Sequence, residues 1–359
     1  MRLPTAPFRE DAVRTHIRAF CRRIGMRVRQ DGLGNLMADW RPRGPAPTLI
    51  LEAHMDHPGF IMEADSRRNR TTAVFYGRVE DEYFPGSPVR VFAEDGERRG
   101  RVAGRPKAIS ERGRRVALAL DGPVRRGDIG MWDVPAFRQR NGMIEARACD
   151  DLAGCATLLA FLDAMADRPQ RRNVGALFTV AEEAGLNGAL YVCRRRRLPA
   201  QATIVSIETS REWPHARRGE GVAIRVGDIA RVFDPPVTAF MLQAARAVAA
   251  RDPAFRWQRK LMDGGTCESS VYQAFGYATG AVCVPLANYH NRDFARRRIA
   301  AERVALGDLT SMVKLFVAMA ESWPTGGRFR RPGRPVYEEK RGPLGERFLV
   351  RKDGRTLSE

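Results

Sequence analysis

Five separated stretches of the chain end in side chains of the kind that bind metal ions: Ala53-His54-Met55-Asp56, Cys149-Asp150-Asp151, Glu182-Glu183, Ile207-Glu208 and Tyr289-His290. Together they offer imidazoles and carboxylates enough to hold two divalent cations around one shared oxygen ligand. Most follow an apolar run of buried-strand character, such as Thr48-Leu49-Ile50-Leu51 or Ala176-Leu177-Phe178-Thr179-Val180. Acidic groups next to a core are costly unless positive charge compensates them. Two cations roughly 3.5–4 Å apart do so, share a water and bring its pKa towards about 7, which makes hydrolytic chemistry possible. Each stretch alone has a bland reading. A lone histidine is usually structural, Glu182-Glu183 is an ordinary solvated pair, and Asp150-Asp151 suits a helix N-terminus. Two of only five histidines in matched positions beside acids carry the inference.

The elements that must position these residues are legible in the pattern. An amphipathic helix is expected over 9–25, with Val13, Ile17, Phe20, Cys21 and Ile24 on one face. Asp31-Gly32-Leu33-Gly34-Asn35 marks a turn before a short strand at Leu36 to Trp40, and Arg41 to Pro47 a proline-rich loop. Between about Glu63 and Arg147 the chain changes to short alternating segments, with glycine and proline turns every ~8–12 residues, the mark of a small all-β domain. From Asp150 helix and strand alternate again. A helix begins at Leu152, strands cover Val174–Val180, Thr203–Ile207 and Gly280–Val284, and helices fall at 237–250 and 300–321. The fold class expected is α/β: a mostly parallel or mixed sheet with helices on both faces, plus an inserted small all-β domain. The expected division is 1–62 with 147–323 as a discontinuous catalytic domain, 63–146 as the insert, and 324–359 as a basic, extended or disordered tail. In open α/β sheets sites gather beyond the carboxyl ends of the strands, where one pocket can collect His54, Asp150, Glu182, Glu183, Glu208 and His290.

With 359 residues there is chain for one large or two ordinary domains. No run of about 18 apolar residues is present, so no membrane span is expected. The first residues lack an apolar signal core, and a cytoplasmic location is the expectation. The six cysteines are scattered without a C-x-x-C pair and are expected as reduced thiols. The net charge of +19 comes mainly from arginine. It attracts anions, but no nucleic-acid-binding motif accompanies it, so a solvated basic surface is the simpler reading and nucleic acid is not the expected partner.

The ordered set Ala53-His54-Met55-Asp56-x-x-Gly59-Phe60, Asp150-Asp151-x-x-Gly154 and Glu182-Glu183-x-Gly185-Leu186-x-Gly188-Ala189 resembles the signatures of the tetrahedral (TET-type) metallo-aminopeptidases. That family includes glutamyl aminopeptidases and endoglucanase-like members, within the clan of co-catalytic dinuclear zinc peptidases. Gly32-Leu33-Gly34-Asn35-Leu36, Gly264-Gly265-Thr266 and Val284-Pro285 are similar too, and the resemblance spans roughly residues 9–322. It implies an aminopeptidase that removes N-terminal residues from peptides. Asp150 is then the bridging ligand; His54 and Glu208 complete one metal, Glu183 and His290 the other. Asp56 orients His54, and Glu182 is the general base, taking a proton from water and passing it to the leaving amine. The resemblance further implies a cis Asp150–Asp151 peptide, two divalent ions (zinc, with cobalt or manganese able to substitute), and a homodimer or larger homo-oligomer built through the inserted β region.

The chain departs from the family in three places: Glu208 stands where Asp is usual, Gly265-Thr266-Cys267 where Gly-Thr-Asp is usual, and residues 324–359 run on where the family normally ends soon after the last helix. His57, beside the ligand strand, can face the pocket, the surface or the layer behind the ligands. The competing readings are a related N-acyl amino acid deacylase or carboxypeptidase, against which the β-rich insert argues, and a catalytically silent basic protein that binds nucleic acid.

Overall fold

The computed structural model describes residues 1–40, 47–66 and 69–323, together with the backbone of Tyr337–Arg341 and Arg347–Arg351. Its frame is a mixed sheet. The central strands run in the order Val174–Thr179, Leu49–His54, Thr203–Arg211, Ala278–Ala287, all parallel. Antiparallel strands flank them: Leu36–Asp39 and Arg27–Gln30 on one side, Glu302–Ala305, Met143–Ala146 and Phe137–Arg140 on the other. Val222–Gly227 pairs antiparallel with Ala278–Ala287 and carries Trp257–Leu261 alongside.

The central strands are buried along nearly their whole length because helices cover both faces, which is why they read as continuous apolar runs. Helices α1 (Asp11–Arg23), α2 (Leu152–Met165), α4 (Pro235–Ala249) and α6 (Leu306–Glu321) pack one side; α3 (Asn187–Arg194) and α5 (Glu268–Ala274) pack the other. The helix expected over 300–321 starts later. Residues Glu302–Ala305 form a strand first, paired on both sides, and the helix begins at Leu306.

A six-stranded antiparallel barrel stands beside the sheet. Its strands Arg70–Tyr76, Gly59–Met62, Ile129–Trp132, Pro88–Ala93, Gly96–Val102 and Gly113–Leu120 close on themselves through the pairing of the last with the first. Gly113–Leu120 alternates buried and exposed positions, as a barrel wall requires. Inside, Phe60, Phe75, Phe84 and Trp132 pack mainly edge-to-face, with Phe60 4.8 Å from both Phe75 and Trp132. The Phe137–Ala146 hairpin returns from the barrel to the large sheet.

All six cysteines are buried and free. Among the described residues no helix is long and apolar enough to cross a membrane. Residues 41–46, in the expected proline-rich loop, and most of the expected tail over 324–359 lie outside the described residues. Within that tail, Tyr337–Arg341 and Arg347–Arg351 pair as an antiparallel hairpin.

Candidate metal centre and active site

Strand register brings the first four groups together. His54 ends its strand opposite Thr179, so the next turn delivers Glu182 and Glu183 beside it. On the other neighbour Ser206 lies opposite Glu52, so Glu208, two residues on, comes level with His54 on the same face. Asp150 sits just before α2, whose N-cap is Asp151; the Asp151 carboxylate accepts the Gly154 N–H at 3.1 Å. A β-carbon on Gly154 would collide with that carboxylate, which accounts for glycine in the Asp-Asp-x-x-Gly segment. The Asp150–Asp151 peptide is cis. His290 follows the Ala278–Ala287 strand in a turn where Asn288, His290 and Asn291 all have left-handed backbones (φ 58°, 55° and 64°).

The six residues named from the sequence converge. His54 Nε2 lies 3.3 Å from Asp150 Oδ1, and His290 Nε2 lies 3.5 Å from Asp150 Oδ2 and 2.9 Å from Glu183 Oε1. Two groups result, His54–Asp150–Glu208 and Asp150–Glu183–His290, each with ligand atoms within 4.8 Å of one another and Asp150 common to both. His54 Nε2, Asp150 Oδ1, Glu183 Oε1 and His290 Nε2 are buried without an aligned hydrogen-bond partner. Polar atoms left so cost stability unless something else satisfies them, so the donor set fits cations. The other ring nitrogens are engaged. His290 Nδ1 faces the Arg78 carbonyl at 2.9 Å, and His54 Nδ1 faces the Asp56 carbonyl oxygen at 3.2 Å. Such contacts leave Nε2 for a metal.

The charges point the same way. Burial alone would lower both histidines; Asp150 and Asp56 lift His54 well above its ordinary value, and Glu183 with Asp150 lift His290 to about 10. Burial would raise Asp150 and Glu183, yet the two histidines hold Asp150, and His290 holds Glu183, below the usual carboxylate range. Burial, then the charge of Glu183, pushes Glu182 well up. The ring of acids thus draws positive charge to the site, a demand that bound cations on neutral imidazoles would meet.

Asp56 and His57, named from the sequence, hold the site from behind, together with Glu10, Glu302, Glu52 and Glu268, which the sequence did not mark. Asp56 uses its carboxylate on the backbone: Oδ1 accepts the Glu182 N–H at 2.9 Å and Oδ2 the Glu183 N–H at 3.0 Å. The Asp56 side chain stands 3.5 Å from His54 Nδ1, farther than its own carbonyl. Glu10 accepts the Ala181 N–H at 3.0 Å. His57 is buried behind Asp150, with one ring nitrogen on the Asp150 carbonyl and the other 2.9 Å from Asn291 Oδ1. Glu302 accepts N–H groups of Cys149, Asp150 and His290. Below His54, Thr179 Oγ1 donates to Glu52 at 2.6 Å, and Glu268 brings a further carboxylate within 4.8 Å of those of Glu182 and Glu208.

The site opens into a cavity of about 480 Å³ whose walls include Arg78, Arg112, Arg211, Arg225 and Arg292. Arg225 is only 3% exposed; its nearest carboxylate, Glu208, is 4.0 Å away, and its Nε has no partner.

A metal-dependent hydrolase is what such a cluster makes of this α/β fold. The profile of the M42 glutamyl aminopeptidase family matches residues 34–315, and the chain belongs to that family. It is therefore a metal-dependent aminopeptidase, and the deacylase and silent-binder readings give way. The glutamyl aminopeptidase of Lactococcus lactis subsp. cremoris is 24% identical over 306 residues, covering 78% of this chain and 84% of the relative. Solved structures share the fold. A TET aminopeptidase from a marine-sediment Thaumarchaeota archaeon superposes with a TM-score of 0.75 at 19% identity, over 91% of this chain and 95% of that one. The TET1 peptidase of Pyrococcus horikoshii, described as able to assemble into a tetrahedron or a large octahedral shell, gives 0.72 at 21% identity, over 89% and 96%.

Proposed function

We propose that His54, Asp150 and Glu208 hold one divalent cation, that Asp150, Glu183 and His290 hold a second, and that Glu182 is the general base for hydrolysis of the first peptide bond. The observation that carries this reading is the convergence of buried ligand atoms of His54, Asp150, Glu183 and His290 that lack an aligned hydrogen-bond partner, with Asp150 shared between both groups. Bound there, two cations supply Lewis acidity for a water and for the scissile carbonyl. The chain does the rest. Glu182, only half-buried and lining the cavity, accepts the proton of the attacking water and returns it to the departing amine. Asp56 aims Glu182 and Glu183 by fixing both backbones, and aims His54 through its carbonyl. Zinc suits this histidine–carboxylate set, and cobalt or manganese can substitute.

The arginine-walled cavity favours peptides that begin with an acidic residue. Arg225, a buried guanidinium at hydrogen-bonding distance from no carboxylate, is the residue we assign to the substrate's side-chain carboxylate. Glu208, longer than the Asp usual in the family, bridges the gap between the metal group and Arg225. A homodimer or larger homo-oligomer paired through the inserted β region belongs to the same proposal, with that insert taken as about 63–146 although the barrel strand Gly59–Met62 precedes it and the Phe137–Ala146 hairpin lies in the large sheet. So does a cytoplasmic setting, which six free buried thiols suit.

The test is a substrate panel: p-nitroanilides of Glu, Asp, Ala, Leu and Lys beside N-acetylated amino acids. Turnover of the free-amine compounds, fastest for Glu or Asp, supports the reading. Turnover of the N-acetyl compounds instead overturns it.

A further inference from the structure

We infer that Glu302 is a positioning residue that sets the Asp150–Glu183–His290 half of the centre, and does so far more than the His54–Asp150–Glu208 half. The inference rests on the reading that this centre holds two cations.

The sheet puts Glu302 where two ligand-bearing loops leave it. The Glu302–Ala305 strand lies between two others, with Ala146 opposite Glu302 on one side and Ala287 opposite Arg303 on the other. The first neighbour runs on from Ala146 to Asp150. The second runs on from Ala287 to His290. Glu302, at the start of the strand between them, is fully buried and faces both departures.

Its carboxylate is wholly engaged by those loops. Oε2 accepts the N–H of Cys149 at 2.7 Å and of Asp150 at 3.0 Å; Oε1 accepts the N–H of His290 at 2.8 Å. Both oxygens accept backbone N–H groups, and Glu302 is in neither ligand group. It acts as a clamp that fixes the separation of the Asp150 and His290 backbones. Charge-assisted bonds of this kind are short and directional, and they hold donors in place better than neutral ones. His290 needs the help, because its left-handed backbone is one that residues with a β-carbon seldom adopt. Across the Asp150 α-carbon, in the next peptide, His57 meets the Asp150 carbonyl, so Asp150 is gripped at both of its polar backbone groups.

The effect is one-sided by construction. His54 and Glu208 come from other strands and make no hydrogen bond with Glu302, so their group depends on it through Asp150 alone. The other group depends on it through two of its three members.

The experiment is Co²⁺ titration of chelator-treated full-length protein, followed by visible absorption, for the wild type, Glu302→Gln and Glu302→Asp. Gln is nearly isosteric but turns an NH2 group towards donors; Asp keeps the charge and loses reach. We expect two equivalents in the wild type. In both variants one equivalent stays within roughly threefold of its wild-type affinity and the other weakens by about 10–100-fold, the range for lost support of a metal ligand. The metal-free variants unfold at lower midpoints because a buried N–H loses its acceptor, so the inequality of the two equivalents, and not the midpoint alone, decides. In a His290→Ala background, which removes the sensitive site, Glu302→Gln then changes the remaining affinity by less than roughly threefold. Two unaltered equivalents in both variants overturn the inference. So does equal loss of both equivalents with a lowered metal-free midpoint, which is the mark of a residue that serves only the fold. A wild type that takes up no Co²⁺ overturns the two-cation reading itself, and this inference with it.

Discussion

The Asp56 carboxylate holds the Glu182 backbone: Oδ1 accepts the Glu182 N–H at 2.9 Å, while its second oxygen accepts the next N–H along, that of Glu183, at 3.0 Å. One acid therefore aims two neighbouring acids that face different tasks. Asp56→Asn has one acceptor oxygen for two donors, so one N–H loses its partner. We predict a fall of about 10–100-fold in metal affinity, as for other supports of metal ligands. Equilibrium dialysis against Zn²⁺ measures it, and an affinity equal to wild type would refute the aiming role.

Removing the base without disturbing the ligands separates binding from turnover. Glu182→Gln keeps the shape of the side chain and cannot take a proton. We predict full metal content with kcat reduced by at least about 10²-fold, the usual scale of general base catalysis. Metal analysis and steady-state kinetics on the same preparation check both halves; a variant with near-normal kcat assigns the base elsewhere.

Arg225 gives a prediction about selectivity. Arg225→Met keeps bulk beside Glu208 and removes the charge. We predict that kcat/KM for the Glu anilide falls by about 10–100-fold, the scale of a lost hydrogen bond to a charged group, while the Ala anilide changes little. An equal loss on both substrates would show that Arg225 serves the site rather than the side chain.

Glu10 makes stability depend on pH. Burial first, then the charge of Asp56, raises its carboxyl from 4.5 to about 8 in the folded chain. The folded state thus holds this proton longer than the unfolded state. The associated stability is fully present below the ordinary carboxylate pKa and is lost as pH rises towards 8. Glu10→Gln keeps the oxygen that accepts from Phe8 and Ala181 and removes the titration. Between pH 5 and 8 the wild type should lose on the order of 2–4 kcal/mol more than the variant. Urea unfolding of metal-free protein at several pH values measures the two slopes; parallel slopes would contradict the burial effect.

How much of this was legible in the sequence follows from where each residue sits. His54, Glu183, Glu208 and His290 stand at or just beyond apolar strands, and a polar group in that place is conspicuous. The all-β character of the barrel was visible too, in the alternation of segments such as Gly113–Leu120. Its closure was not, because the pairing of Arg70–Tyr76 with Gly113–Leu120 is a long-range event that no local pattern states. Glu302 escaped notice for the same reason: it meets Asp150 across 152 positions of chain and offers its oxygens to backbone, which has no residue signature. The Glu302–Ala305 strand was read as helix because no glycine or proline separates it from α6. Helix α5, with only seven residues, is too short for a helical period to show.

Anomalous diffraction from crystals of the Zn²⁺-loaded protein tests the central claim most directly. We predict two peaks, one among His54, Asp150 and Glu208 and the other among Asp150, Glu183 and His290, with Asp150 reaching both. A single peak, or zinc bound only outside these residues, would contradict it.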